Sequence, residues 1–143
     1  MPEQNYQNHT QRVPAFIGLG LIIALALGGS FVNLFQSVGD HQRLYSAALL
    51  VVLTFCVLGA ATFARIFALR AQDRAIRAEE NLRHYVLTGK LLDSRLQPLQ
   101  IVALRFASDA ELPELARKAA EEGMAPDAIK QSVKSWRADT YRV

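Results

Sequence analysis

Apolar positions in this chain form two unbroken blocks, followed by a stretch in which they recur at helical intervals among charges. Between Arg12 and Asp40 lie 27 uncharged residues, and between Arg43 and Arg65 lie 21 more. A bilayer core of about 30 Å, crossed at a rise of about 1.5 Å per residue, needs about 20 apolar residues in a helix. Each block is long enough. The pattern predicts two transmembrane helices over residues 15–38 and 44–69, with Pro14 preset for the first helical turn. Residues 39–43 cannot recross a membrane, so the two helices make an antiparallel hairpin.

Past the second block the period stays helical. No Gly or Pro occurs between Ala60 and Thr88, which predicts that the second helix continues beyond the membrane as one rod. Ala68, Ala71, Ala75, Ala78, Leu82 and Tyr85 follow it at spacings of 3, 4, 3, 4 and 3, a short heptad seam expected to meet another copy or the module that follows. Asp73 with Arg77 and Glu79 with Arg83 are acid-first pairs at i,i+4, the better order on a helix. Thr88-Gly89-Lys90 reads as a helix stop. A helix is then expected over residues 97–107, carrying Ile101, Val102, Leu104 and Phe106. Ser108-Asp109-Ala110-Glu111 has the form of a capping box and opens another, with Leu112, Leu115, Ala116 and Ala119 on one face and Gly123 at its end. Pro126 starts a last helix, in which Ile129, Val133 and Trp136 form an apolar stripe and Lys130, Lys134 and Arg137 a basic one. The expected fold is an all-α membrane protein: a tail over residues 1–14, a transmembrane hairpin over 15–69, and a cytoplasmic module over 70–143. In that module the extended second helix leads into a bundle of about three short amphipathic helices.

Charge sharpens this picture. Of the 29 formal charges (16 basic and 13 acidic), all but Glu3, Arg12, Asp40 and Arg43 lie from Arg65 onward, so the net +3 averages two different materials. Arg65, Arg70, Arg74, Arg77 and Arg83 crowd the end of the second span, against Arg43 alone in the link. Basic residues stay on the cytoplasmic side, so both termini are expected there. Arg65, Arg70, Arg74 and Arg77 are also candidates for contact with anionic lipid head groups. Two spans leave about 80 residues, marginal for one independent core. The single cysteine, Cys56, permits neither an intramolecular disulfide nor a cysteine zinc cage. A cleaved signal peptide is a rival for the first block, because Ala24-Leu25-Ala26 offers small residues. Against it, Glu3 offsets Arg12 and the apolar run continues past Ala26. A buried soluble hairpin is disfavoured because neither helix has a polar face.

Candidate chemistry is sparse. Gly20, Ala24 and Gly28 recur every four residues, as do Ala60, Ala64 and Ala68, and small residues at that spacing let membrane helices approach closely. Ala71, Ala75 and Ala78 extend the candidate packing surface. Asn33 is the most polar side chain of either span and lies near its end. His9, His41 and His84 fall in three separate regions without metal-ligand spacing. No nucleophile elbow or phosphate-cradling Gly-Lys-Ser/Thr motif occurs. The expectation is a protein that is not an enzyme, with no cofactor, no metal, no small-molecule substrate and no specific nucleic acid; Asp127 and Asp139 weaken a nucleic-acid reading of the basic stripe. Lys130, Lys134, Trp136 and Arg137 form a candidate docking surface, with Trp136 read first as a core anchor.

Several runs resemble a known family. Residues 4–9 (QNYQNH), "ARIFALRAQDRAIR", "IVALRFASDAELPELARKA" and "IKQSVKSWRADTYRV" are similar to a family of small bacterial two-span membrane proteins of unknown function, with "LRFASDAELP" the most specific part. The resemblance implies two spans in the inner membrane of a bacterium and a cytoplasmic helical tail, and supplies no activity, cofactor or catalytic residue. The expected function is therefore that of an accessory or scaffold subunit. Its partners are the lipid bilayer and either another membrane protein or copies of itself. An oligomeric, permease-like transporter or channel component is one alternative, and a lipid-binding adaptor is another.

Overall fold

The computed structural model describes residues 4–10 and 13–139. Glu3 and Arg12, whose charges weigh on the signal-peptide reading, and residues 140–143 of the family-like C-terminal run lie outside the described residues. Among the described residues the chain forms helices and no strand: α1 (Pro14–Gln36), α2 (His41–Thr88), α3 (Pro98–Leu104), α4 (Leu112–Glu122) and α5 (Pro126–Ser132). The all-helical expectation holds. The second helix does continue as one rod, 48 residues long, because nothing in it interrupts the hydrogen-bond ladder.

The chain divides into two compact units, residues 12–68 and residues 69–143 together with residues 1–11. In the first, α1 and the membrane-length part of α2 form a hairpin. Ser37 ends α1 by donating its N–H to the Asn33 and Leu34 carbonyls at 3.0 and 3.2 Å. The Asp40 carboxylate opens α2 by accepting the N–H groups of Gln42 and Arg43 at 3.1 and 3.3 Å, satisfying donors that have no intrahelical partner. The residues turned inward follow a heptad rhythm. On α1 and its cap they are Gly20, Ile23, Leu27, Ser30, Leu34 and Ser37; on α2 they are Leu44, Ala47, Val51, Thr54, Leu58, Ala61 and Arg65, with Ala48 and Gly59 half-buried beside them. Both sets alternate spacings of 3 and 4, the pattern that keeps one seam facing a partner helix. Phe31 meets Phe55 edge to face, with ring centroids 6.1 Å apart, and the Arg65 guanidinium lies 5.5 Å from the Phe16 ring centre.

In the second unit α3, α4 and α5 enclose a core of Ile101, Ala103, Leu104, Leu112, Leu115, Ala116, Ala119 and Ile129, joined by Leu92 and Leu96 from the segment before α3. The stop after Thr88 lies where expected, with Gly89 at φ 72°. Gly123 caps α4 at φ 61°, a left-handed conformation that costs other residues steric strain.

Three local expectations are corrected. The capping box at Ser108 does not form: α4 starts at Leu112, the Ser108 carbonyl accepts the N–H groups of Glu111 and Leu112, and the Glu111 carboxylate reaches the Ser135 N–H at 3.2 Å. A reciprocal box forms elsewhere, where Gln100 accepts the Gln97 N–H at 2.6 Å. The helix expected over residues 97–107 ends at Leu104. The last helix stops at Ser132, because Val133 turns extended at φ −69° and ψ 121°, so Lys134, Trp136 and Arg137 are not on it. That terminal segment instead runs antiparallel to the exit of α3. The Ser108 N–H donates to the Ser135 carbonyl at 3.1 Å and the Arg137 N–H to the Phe106 carbonyl at 2.8 Å, around an Ala107 to Trp136 bridge. Two long-range backbone bonds replace a further turn of helix.

Candidate functional site

One carboxylate ties the second unit together. Glu80 is 4% exposed on α2. Its Oε2 accepts from Arg83 at 2.9 Å and its Oε1 from Arg137 of the terminal segment at 3.2 Å. Arg83 carries the tie onward, donating Nε to Asp109 and Nη2 to the Ala107 carbonyl, each at 2.7 Å. Asn81 accepts the Leu92 N–H at 3.2 Å. Arg83 therefore engages Glu80 and Asp109 in place of the expected Glu79. Both oxygens of Glu80 are committed, which suits a clamp between α2 and the module better than a proton carrier. At the surface, the hydrogen-bonded Arg95 guanidinium holds the Asp93 carboxyl down to about 2.

A second cluster brings the N-terminal segment onto the module. The His9 ring lies 5.7 Å from Tyr6, 5.6 Å from Phe106 and 5.9 Å from Trp136, and Phe106 and Trp136 are 4.8 Å apart. Buried Arg105 pairs with Asp139 at 2.9 Å and lies over the Phe106 ring. The Gln4 side chain accepts the Asp139 N–H at 2.7 Å, and Gln131 donates to the Tyr6 hydroxyl at 3.1 Å. No periodicity or motif in the sequence points to this cluster. Its one signal is the aromatic and amide content of residues 4–9.

The candidate docking surface is dispersed. Trp136 is half-buried against the core, Arg137 is engaged with Glu80, and Lys130 pairs with Asp127 at 3.2 Å. Lys134 is exposed on the extended segment. Of the arginine collar, Arg65 packs on Phe16, while Arg70, Arg74 and Arg77 are exposed. Among the small residues of the spans, Gly20 is half-buried at the hairpin seam, whereas Ala24, Gly28, Ala60, Ala64 and Ala68 are exposed.

The surface that remains open is the heptad seam. Ala68, Ala71, Ala75, Ala78, Leu82 and Tyr85 are all exposed, Leu82 by 64%, with Val86 beside them at 75%. The module covers the opposite side of α2 through Ile76, Glu80 and Arg83. Ile76 is the one large aliphatic side chain between Leu69 and Leu82, and that was the available sign of which face is buried. Among the described residues no three His, Cys, Asp or Glu side chains gather as a metal site.

Among the described residues the chain is all-helical, with two helices, Pro14–Gln36 and His41–Thr88, long and apolar enough to cross a membrane by length and composition, followed in sequence by three short helices. A family model matches residues 1–143 throughout, and the chain belongs to that family of unknown function, DUF6526. No curated protein and no solved structure matches the chain.

Proposed function

We propose that this is an integral protein of the bacterial inner membrane, in which the hairpin anchors a helical docking module on the cytoplasmic side. It acts as a non-enzymatic accessory or scaffold subunit. The observation that carries the reading is a contrast in how the two units treat their apolar side chains. The hairpin turns them outward, with Leu21 63%, Leu25 67%, Phe35 74%, Leu53 60% and Phe63 59% exposed, while the module closes its own core around Leu104, Leu112 and Ile129. A surface of that kind suits lipid. The collar of Arg70, Arg74 and Arg77 supports a cytoplasmic module. The hydroxyls of the spans do not favour a conducting pore, since Ser30, Ser37, Thr54 and Thr62 each donate to a carbonyl of their own helix at 2.6 to 2.8 Å. The commitment of both Glu80 oxygens supports a structural role for the one buried acid among the described residues. The test is purification of the tagged chain from native membranes in mild detergent, with mass spectrometry of what accompanies it. A membrane protein retained in fixed stoichiometry, or a discrete homo-oligomer, is expected. Ion flux through liposomes holding the pure protein would replace this reading with a channel.

A further inference from the structure

The exposed seam of α2 has both an apolar stripe and ordered flanking charges. In heptad terms Ala71, Ala78 and Tyr85 take one core position, and Ala75 and Leu82 the other. The flanking positions then hold Arg74 on one side and Glu79 on the other, five residues apart. Both are exposed, and among the described residues neither has an ion pair. Five residues is the offset at which the flanking positions of two parallel helices face each other in adjacent heptads.

We infer that the partner on this seam is a second copy of the chain, its α2 running parallel and in register over residues 71–85, with Arg74 of each copy facing Glu79 of the other. Small residues in the first half of the seam let the backbones approach closely. Leu82, Tyr85 and Val86 supply the larger apolar contacts in the second half. An antiparallel mate would bring flanking positions of the same type together and lose this complementarity. The inference rests on the membrane reading in one respect. Two hairpins inserted with the same orientation carry their α2 helices out of the bilayer side by side and parallel, at high local concentration. A module docked on the Ile76 and Glu80 face leaves the seam clear for such a neighbour.

The test uses the full chain in native membranes, with Cys56→Ser as background and single cysteines added by Ala78→Cys on the seam or Arg77→Cys beside it. Mild oxidation is expected to give a disulfide dimer with Ala78→Cys and at least about tenfold less with Arg77→Cys. In the Ala78→Cys background, Arg74→Glu or Glu79→Arg alone is expected to weaken dimerisation by about tenfold. Coexpression of the two charge variants restores it, because each mixed pair regains both opposite contacts. Equal crosslinking at the two positions, indifference to charge reversal, or an adduct with the mass of another protein would each overturn the inference. Carbonate extraction of the same membranes separates the two readings. A chain that stays in the pellet without crosslinking sinks the dimer alone. Release into the supernatant sinks the anchor, and with it the constraint that makes the helices parallel.

Discussion

At Glu80 a single carboxylate is held by two guanidiniums from distant parts of the chain, and its removal would leave Arg83 buried beside Asp109 with less compensation. Breaking a buried pair from one side typically destabilises by 3 to 5 kcal/mol. Arg137 is half-exposed at 54%, so the lower end applies. Glu80→Ala is expected to destabilise the module by about 3 kcal/mol, whereas exposed Glu79→Ala changes it by less than about 0.5 kcal/mol. Urea unfolding in detergent, followed through the fluorescence of the single tryptophan, Trp136, measures both. The sequence spacing offers Arg83 two partners on the helix, Glu79 at i,i+4 and Glu80 at i,i+3. Both spacings are local, and what distinguishes Glu80 is the long-range contacts of this cluster, Arg83 to Ala107 and Asp109 and Arg137 to Glu80, which no local rule carries.

At the scale of elements, helix positions were legible wherever the cause was local: Pro14, Pro98 and Pro126 at helix starts, Gly89 and Gly123 at helix ends, and an uninterrupted apolar or amphipathic run between. The end of α5 was not legible, because Val133, Trp136 and Arg137 fit a helical stripe and a backbone bridge to α3 overrides it. Within the hairpin, spacing of four residues alone drifts by about 40° per step on a helix of 3.6 residues per turn. A stripe such as Gly20, Ala24 and Gly28 therefore leaves the interface after its first member, and alternating steps of three and four stay in it. Ala47, fully buried at that seam, makes this testable. Ala47→Phe is expected to overpack the seam at a cost of about 1 to 3 kcal/mol and to abolish excimer emission between pyrene labels placed by Phe31→Cys and Phe55→Cys in a Cys56→Ser background. Leu49→Phe, half-exposed on the outer side, is expected to leave the emission intact.

On the scale of the whole molecule, the broad plan of two membrane-length helices and a helical module follows from the distribution of apolar and charged residues. The place of the N-terminal segment does not, since six polar and aromatic residues have no period to read. Their contact with the module is energetic as well as geometric. His9→Ala removes ring contacts to Tyr6, Phe106 and Trp136, each aromatic pair being worth roughly 0.5 to 1.5 kcal/mol beyond its area. It is expected to destabilise the module by about 1 kcal/mol and to shift Trp136 emission to the red; unchanged emission would separate His9 from the Trp136 environment.

The hydrogen bond from the Asp139 N–H to Gln4 has a consequence of parity. Residues in contact share one aqueous phase, so a chain that starts at Gln4 and returns to Asp139 crosses a bilayer an even number of times. Neither α1 nor α2 can span alone without tearing Tyr6 from Gln131 and His9 from Trp136. In the proposed hairpin the docked N-terminal segment therefore gives the two helices a common fate: both enter the membrane, or both stay out of it.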